Sequence, residues 1–409
     1  MSTSMNNTPK TFTDGTHRVI SPALTVQRAL PHLASMGITR VATVSGLDRI
    51  GIPVVNAMRP NSRSLSVSQG KGLSLMAAKA SAIMEAIEGF HGEEMDLPVI
   101  EGSHALLSAS KRLIDTRGLA YLKGRGFDPR RSICWVMGQD LMTGADVWLP
   151  IELVHTDYTL PRLPSAECFV ASTNGLASGN HPLEAITHGI CEVIERDAQT
   201  LWEHLPFARK AETQVDLDSV TDKNCRFVIE TLRNAGMAVG VWNMTSDIGA
   251  ATFFCLITDT RVDGGHSGGG AGTHLSRDVA LLRALTEAVQ VRTNYITGAR
   301  DDLRHEEYET TGILQKTRYA EALMAAEQVQ PVAFEAVPSE SLNTLEDDLS
   351  RLLSRLEGVG ITEVIAVDLT KPAFDIPVMR VVIPGLEGPH DHDDYCPGSR
   401  ARRLGVAAR

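Results

Sequence analysis

Isoleucine and valine recur at helical spacing along His181–Thr200, HPLEAITHGICEVIERDAQT, so this stretch is predicted to be a helix with Pro182 in its first turn. At about 100° per residue, Glu184, His188, Glu192 and Glu195 fall within an arc of roughly 80°, while Ile186, Ile190, Val193 and Ile194 take the opposite side. One face is built for burial and the other presents three carboxylates and an imidazole. Lys79–His91, KASAIMEAIEGFH, repeats the design: Ser81, Glu85 and Glu88 form a stripe about 60° wide, backed by Ile83, Met84, Ile87 and Phe90. A third predicted helix, Arg277–Thr293, carries Arg283 and Glu287 one turn apart, a spacing that permits an ion pair or a shared ligand. For one helix alone, a solvated acidic face is the simpler account. Three such stripes converging would instead need positive charge, which divalent metal with a phosphate ligand would supply.

The remaining pattern is mixed. Thr25–Ser35 has helical spacing, and strands are predicted at Arg40–Ser45, Val54–Met58 and Ser64–Gln69, the last broken by Gly70-Lys71-Gly72. A strand, glycine turn and helix can cradle phosphate, but Leu65 stands where a Walker A loop has its first glycine. Further strands are expected at Ile133–Gly138, Val147–Pro150, Cys168–Ser172, Ala238–Asn243, Ala251–Thr258, Thr362–Asp368 and Val378–Ile383. Helices are expected at Lys223–Ala235, Leu314–Gln328 and Leu342–Leu356. Thr173–Asn180 reads as a loop, and Gly264–Thr273, GGHSGGGAGT, as either a flexible linker or a loop closing over a ligand. The fold class is therefore α+β, with strands packed against the site helices. Residues 1–18 are expected to be disordered, 19–385 to form one catalytic domain, and 386–409, with His390, Asp391, His392, Asp393, Asp394 and Cys396, to be a solvated tail.

The net charge of −11 argues against nucleic acid or an anionic membrane surface as partner and favours a peptide or small molecule. No apolar run reaches the roughly 20 residues of a membrane span. The six cysteines contain no CxxC pair, which fits reduced thiols in the cytoplasm.

The stripes SxxxExxE (Ser81, Glu85, Glu88), ExxxHxxxExxER (Glu184 to Arg196) and RxxxE (Arg283, Glu287), in this order, resemble the YcaO family, as do the phrases LDRIGIPV, QGKGLS, NGLASGN and GGGAGTH. The resemblance implies an ATP site built without a P-loop. Glu85, Glu88, Glu192 and Glu195 would be ligands to Mg2+. Ser81, Glu184, His188, Arg283 and Glu287 would contact ATP or orient those ligands, with Arg283 and Glu287 acting in catalysis, and Lys71 would contact phosphate. It also implies a homodimer that phosphorylates a peptide backbone amide on oxygen. A neighbouring Cys, Ser or Thr side chain would then give an azoline and an external sulfide a thioamide.

Two departures bear on the product. Azoline-forming members commonly end in a PxPxP tail and carry Gln where His188 stands, whereas this chain ends LGVAAR. The phrases RPNSRSLSVSQGKG, KASAIMEAIE and VIPGLEGPHDHDDY look like the branch that works with a TfuA partner, whose implied product is a thioamide in a peptide or protein substrate. The rival expectations are an azoline-forming cyclodehydratase and a non-catalytic ATP-binding scaffold. A di-iron carboxylate protein is disfavoured, because its paired ExxH motifs are missing.

Overall fold

A computed structural model of the protein describes residues 7–261, 265–326, 330–390 and 394–405. The chain begins with α1 (Pro22–Ala29), β1 (Arg40–Thr43), β2 (Val54–Met58), β3 (Val67–Lys71) and α2 (Leu75–Glu93). Next come β4 (Val99–Ser103), α3 (His104–Leu107), β5 (Ser132–Asp140), β6 (Asp146–Pro150), β7 (Leu176–Ser178), α4 (Pro182–Glu203), α5 (Phe207–Ala211) and α6 (Lys223–Asn234). The chain continues through β8 (Met237–Asn243), β9 (Ala251–Asp259), β10 (Gly268–His274), α7 (Arg277–Thr297), α8 (Thr310–Met324) and α9 (Leu345–Gly358). It closes with β11 (Ile365–Asp368), β12 (Val378–Val382) and α10 (Ser399–Arg403).

The strands form three antiparallel sheets, ordered β1-β2-β3, β10-β9-β8 and β4-β5-β11-β12-β7, with β6 pairing β5. Each sheet is covered by one long helix that also reaches the next sheet. Helix α2 packs on β2 and β3 and touches β7, α4 packs on β12 and β7 and touches β10, and α7 packs on β9 and β10 and touches β3. The expected α+β class, with sheets against the site helices, is what the structure has.

Small residues make these contacts close. A Cβ on Gly70 would lie 2.1 Å from the backbone N of Ala82, so β3 and α2 meet backbone to backbone. In β10, Gly268, Gly270 and Gly272 share one face, and a Cβ on each would come within 2.0 Å, 2.3 Å and 2.1 Å of α7 backbone at Ala288 and Ala280. These contacts correct two expectations. Gly70 and Lys71 continue β3 instead of breaking it, and the described part of Gly264–Thr273 is largely a buried strand, neither linker nor covering loop. Glycine costs a strand conformational entropy, and close helix packing offsets that cost here.

Three further corrections concern the chain between and outside these elements. Cys168–Ser172 is not a strand but a loop with one bridge from Phe169 to Tyr121; the short strand lies instead at Leu176–Ser178 in the expected loop. Residues 7–18 are ordered against the body, with Lys10 paired to Asp348 at 2.9 Å and Phe12 bridged to Arg18. The described part of 386–405 is no solvated tail either. Leu386 and Glu387 are buried, and Arg400 pairs with buried Asp197 at 2.9 Å. Asp391, His392 and Asp393 lie outside the described residues, as do Gly264 and Gln328.

Candidate active site

The apolar sides of the three site helices sit where their spacing puts them. On α4, Ile186, Ile190, Val193 and Ile194 are buried, and on α2, Ile83 and Ile87 are buried. The polar stripes therefore turn toward one another, and Glu85 and Glu88 from α2, Glu192 and Glu195 from α4 and Glu287 from α7 come close enough for their charges to interact.

Each stripe is anchored by a different partner. Glu85 accepts from the backbone N–H of Gln69, in the middle of β3, at 3.4 Å, and Glu88 accepts both the N–H and the hydroxyl of Ser178, each at 2.7 Å. Lys71 pairs with Glu287 at 2.6 Å. That pairing displaces the expected one-turn contact, since Arg283 forms no ion pair with Glu287 and instead donates to the Thr273 carbonyl at 3.3 Å. Ser81 is half-buried on α2, one turn before Glu85.

Burial drives the electrostatics. It pushes Glu88 up to about 8, against the hydrogen bonds from Ser178 and with help from Glu85 and Glu192. Burial likewise raises Glu192 to about 7, and it raises Glu85 and Glu195. For Glu287 burial pulls upward too, but Lys71 and Arg196 outweigh it and hold the carboxyl below its usual value. Four carboxyls held above their ordinary range are a demand for cation. Their donors are oxygen only, which suits a hard ion such as Mg2+. Among the described residues no three acidic, His or Cys side chains form a ready cage. Mg2+ favours one or two carboxylates completed by water and phosphate, so a carboxylate-lined cleft fits it and a nucleotide together.

Glu184 and His188 share the face of α4 that carries Glu192 and Glu195 but lie one to three turns nearer its N-terminus. Glu184 is only 1% exposed, and the helix is capped by His181, not by Glu184. The Glu184 oxygens accept from the N–H of Val19 at 3.1 Å and of Asn180 at 3.3 Å and pair with Arg18, so this carboxylate positions the amino-terminal segment. His188 lines a small polar cavity of about 20 Å³ with His17, Arg18, Cys191, His274 and Arg283. Its Nδ1 has no partner, and burial, followed by Arg283, holds its pKa well below the ordinary value.

Several participants were missed from sequence. Arg18 and His17 belong to the segment taken for a frayed end, and His274 ends a strand taken for a loop. Arg300 and Arg380, whose charges act on Glu85 and Glu192, stand outside any stripe.

A family model described as "YcaO cyclodehydratase, ATP- and Mg2+-binding" matches residues 69–387. The chain belongs to the YcaO family. It is 35% identical over 381 residues to an uncharacterized protein in the tfuA 3′ region of Rhizobium leguminosarum bv. trifolii, covering 90% of this chain and 88% of that one. An uncharacterized protein of Methanothermobacter thermautotrophicus is 31% identical, with 90% and 95% covered. Among solved structures, YcaO from Methanopyrus kandleri, bound with AMPPCP and Mg2+, is similar with a TM-score of 0.74 at 23% identity, covering 93% of this chain and 95% of that one. A heterocyclase in complex with substrate and cofactor is similar with a TM-score of 0.78 at 21% identity, covering 94% of this chain. This YcaO chain spans about half of that heterocyclase, 54% of its length. At these identities the structural likeness speaks for the fold. The cofactors of the family, ATP and Mg2+, are those the cleft's carboxylates suit.

Proposed function

We propose that this YcaO protein transfers the γ-phosphoryl group of ATP to the oxygen of a peptide backbone amide, and that sulfur delivered through a TfuA-like partner then replaces that oxygen to give a thioamide. The observation that supports the first step is the set of four burial-raised carboxyls, Glu85, Glu88, Glu192 and Glu195, linked by one another's charge, with Arg283 acting on Glu195. The choice of product rests on the Rhizobium relative in the tfuA 3′ region.

In this reading Glu85, Glu88, Glu192 and Glu195 hold Mg2+, which would neutralise phosphate charge and polarise the transferred group. Arg283, which has no carboxylate partner among the described residues, and Glu287, aligned by Lys71, act at the phosphoryl group. Ser81 and His188 contact the nucleotide, Lys71 contacts phosphate, and Glu184 orders the segment that closes the cavity. An amide oxygen leaves badly as hydroxide and readily as phosphate. The amide oxygen takes the phosphoryl group, releasing ADP and the amide proton. Hydrosulfide adds to the imidate carbon, and the C–O bond then breaks to expel phosphate and leave the thioamide. Positioning and electrostatics do most of this work.

The proposed setting is the cytoplasm, with a homodimer acting on a peptide or protein substrate beside the TfuA-like partner. Among the described residues no helix is long and apolar enough to cross a membrane. The test is product mass after incubation with a candidate peptide, ATP, Mg2+, sulfide and the TfuA-like protein. A mass gain equal to oxygen replaced by sulfur, absent in Glu85→Ala/Glu192→Ala, supports the reading. Loss of one water would assign it to the azoline-forming cyclodehydratases, which the family description favours. Nucleotide binding without consumption under every condition would leave a scaffold.

A further inference from the structure

Four arginines are buried among the described residues: Arg59, Arg292, Arg380 and Arg400. Three of them meet carboxylates. Arg59 pairs with Glu93, Arg292 with Asp48 and Asp259, and Arg400 with Asp197 and Asp247. Arg380, at 3% exposure the most buried of the four, pairs with none among the described residues. Its Nε donates to the Leu153 carbonyl at 2.8 Å and its Nη2 to the Ser172 carbonyl at 2.7 Å, while its Nη1 has no partner. A buried guanidinium without a counter-charge is costly, so its retention calls for an anion at some stage of the protein's work.

Its place in the fold says which anion. Arg380 stands on β12 opposite Leu176, and two residues along the same strand pair lies Ser178, which holds Glu88. The carboxylate whose charge acts on Arg380 is Glu192, with Tyr158 beside it. Arg283 and Lys71 act instead on Glu195 and Glu287. Positive charge thus reaches the carboxylates from several sides: Lys71 and Arg300 at Glu85, Arg196, Arg283 and Lys71 at Glu195, and Arg196 with Arg380 at Glu192.

We propose that Arg380 is a catalytic anion-binding residue on the acceptor side of the cleft, its Nη1–H taking an oxygen of the phosphoryl group once that group has left ATP and holding the phosphate that departs. This rests on the phosphoryl-transfer reading above. The backbone carbonyls of Leu153 and Ser172 fix two edges of the guanidinium, which leaves only the Nη1 edge to meet a ligand. In this proposal the Leu153–Leu176 connection, which carries Tyr158 and has no helix or strand between those residues, gives way as the anion arrives.

Inorganic phosphate is the probe, titrated calorimetrically into the protein saturated with ADP and Mg2+. The wild type is expected to bind phosphate saturably, and Arg380→Gln to weaken it by about 10- to 100-fold, the worth of one charge-assisted hydrogen bond, with ADP affinity changed less than about twofold. Arg380→Lys, which keeps the charge but not the fork, serves where the Gln variant does not fold and is expected to weaken phosphate about tenfold. Equal phosphate affinity in wild type and a folded variant overturns the proposal, as does a wild type that binds no phosphate beside ADP. Neither peptide nor partner protein is present, so this result stands apart from the product-mass test.

Discussion

Loading Mg2+ and a non-hydrolysable ATP analogue into the cleft is expected to release protons, because metal ligands must be ionised and two of these carboxyls are not fully so at neutral pH. Burial places Glu88 at about 8 and Glu192 at about 7. At pH 7 such groups carry about 0.9 and about 0.5 proton, so these two alone contribute about 1.4 protons, falling to about 0.6 at pH 8. Between pH 6 and pH 7 the mean release of about 1.7 protons from these two makes the complex about 50-fold tighter. The sign for stability runs the other way. The folded protein holds these protons where the unfolded chain, with glutamate near 4.5, does not, so cation-free protein loses stability as pH rises from about 5 to about 8. Calorimetry in two buffers of different ionisation enthalpy reads the proton count, and a Glu88→Gln/Glu192→Gln blank removes the nucleotide's own share. A release below about 0.3 proton at pH 7, or one unchanged from pH 6 to pH 8, would refute the electrostatic account of the cleft.

Replacing Arg283 by Ala should lower peptide-dependent ADP formation by about 100- to 1000-fold, because the charge it offers the phosphoryl group is lost; steady-state kinetics reads this, and a loss under tenfold would count against its role. Glu93→Gln should cost about 3–5 kcal/mol in chemical denaturation. It removes the charge from a buried carboxylate that meets Arg59 at 2.6 Å and accepts the hydroxyl of Ser62 at 2.7 Å. Gly270→Ala should lower the melting temperature and weaken Mg2+-nucleotide binding together, since its Cβ would press on α7 at Ala284 and Ala288, beneath Arg283 and Glu287. A fully stable G270A protein with normal nucleotide affinity would deny that this packing sets the site.

The stripes were legible because a helix writes its buried face into the sequence at a fixed period, and α2, α4 and α7 are long enough for that period to dominate. Their convergence was not written there. Nor were the contacts of the amino-terminal segment: Lys10 and Arg18 meet Asp348 and Glu184, far along the chain, by tertiary packing that no local pattern records. Gly268–His274 was misread because glycine ordinarily interrupts strands. Its signal was alternation, with glycines at every second position answering Ala280, Ala284 and Ala288 at every fourth on α7. Arg400 was hidden in the segment read as a solvated tail, though it is held by buried Asp197 and by Asp247. Arg380 fell inside the correctly predicted strand VMRVV, where a lone charge among buried positions was itself the sign of a special environment.

The central claim, that the amide oxygen accepts the phosphoryl group, is tested most directly by following that oxygen. A candidate peptide labelled with heavy oxygen at its backbone carbonyls is incubated with ATP, Mg2+, sulfide and the TfuA-like protein, and the released inorganic phosphate is analysed by mass spectrometry. The account predicts one heavy oxygen in phosphate for each amide converted. Converted peptide with unlabelled phosphate would contradict it.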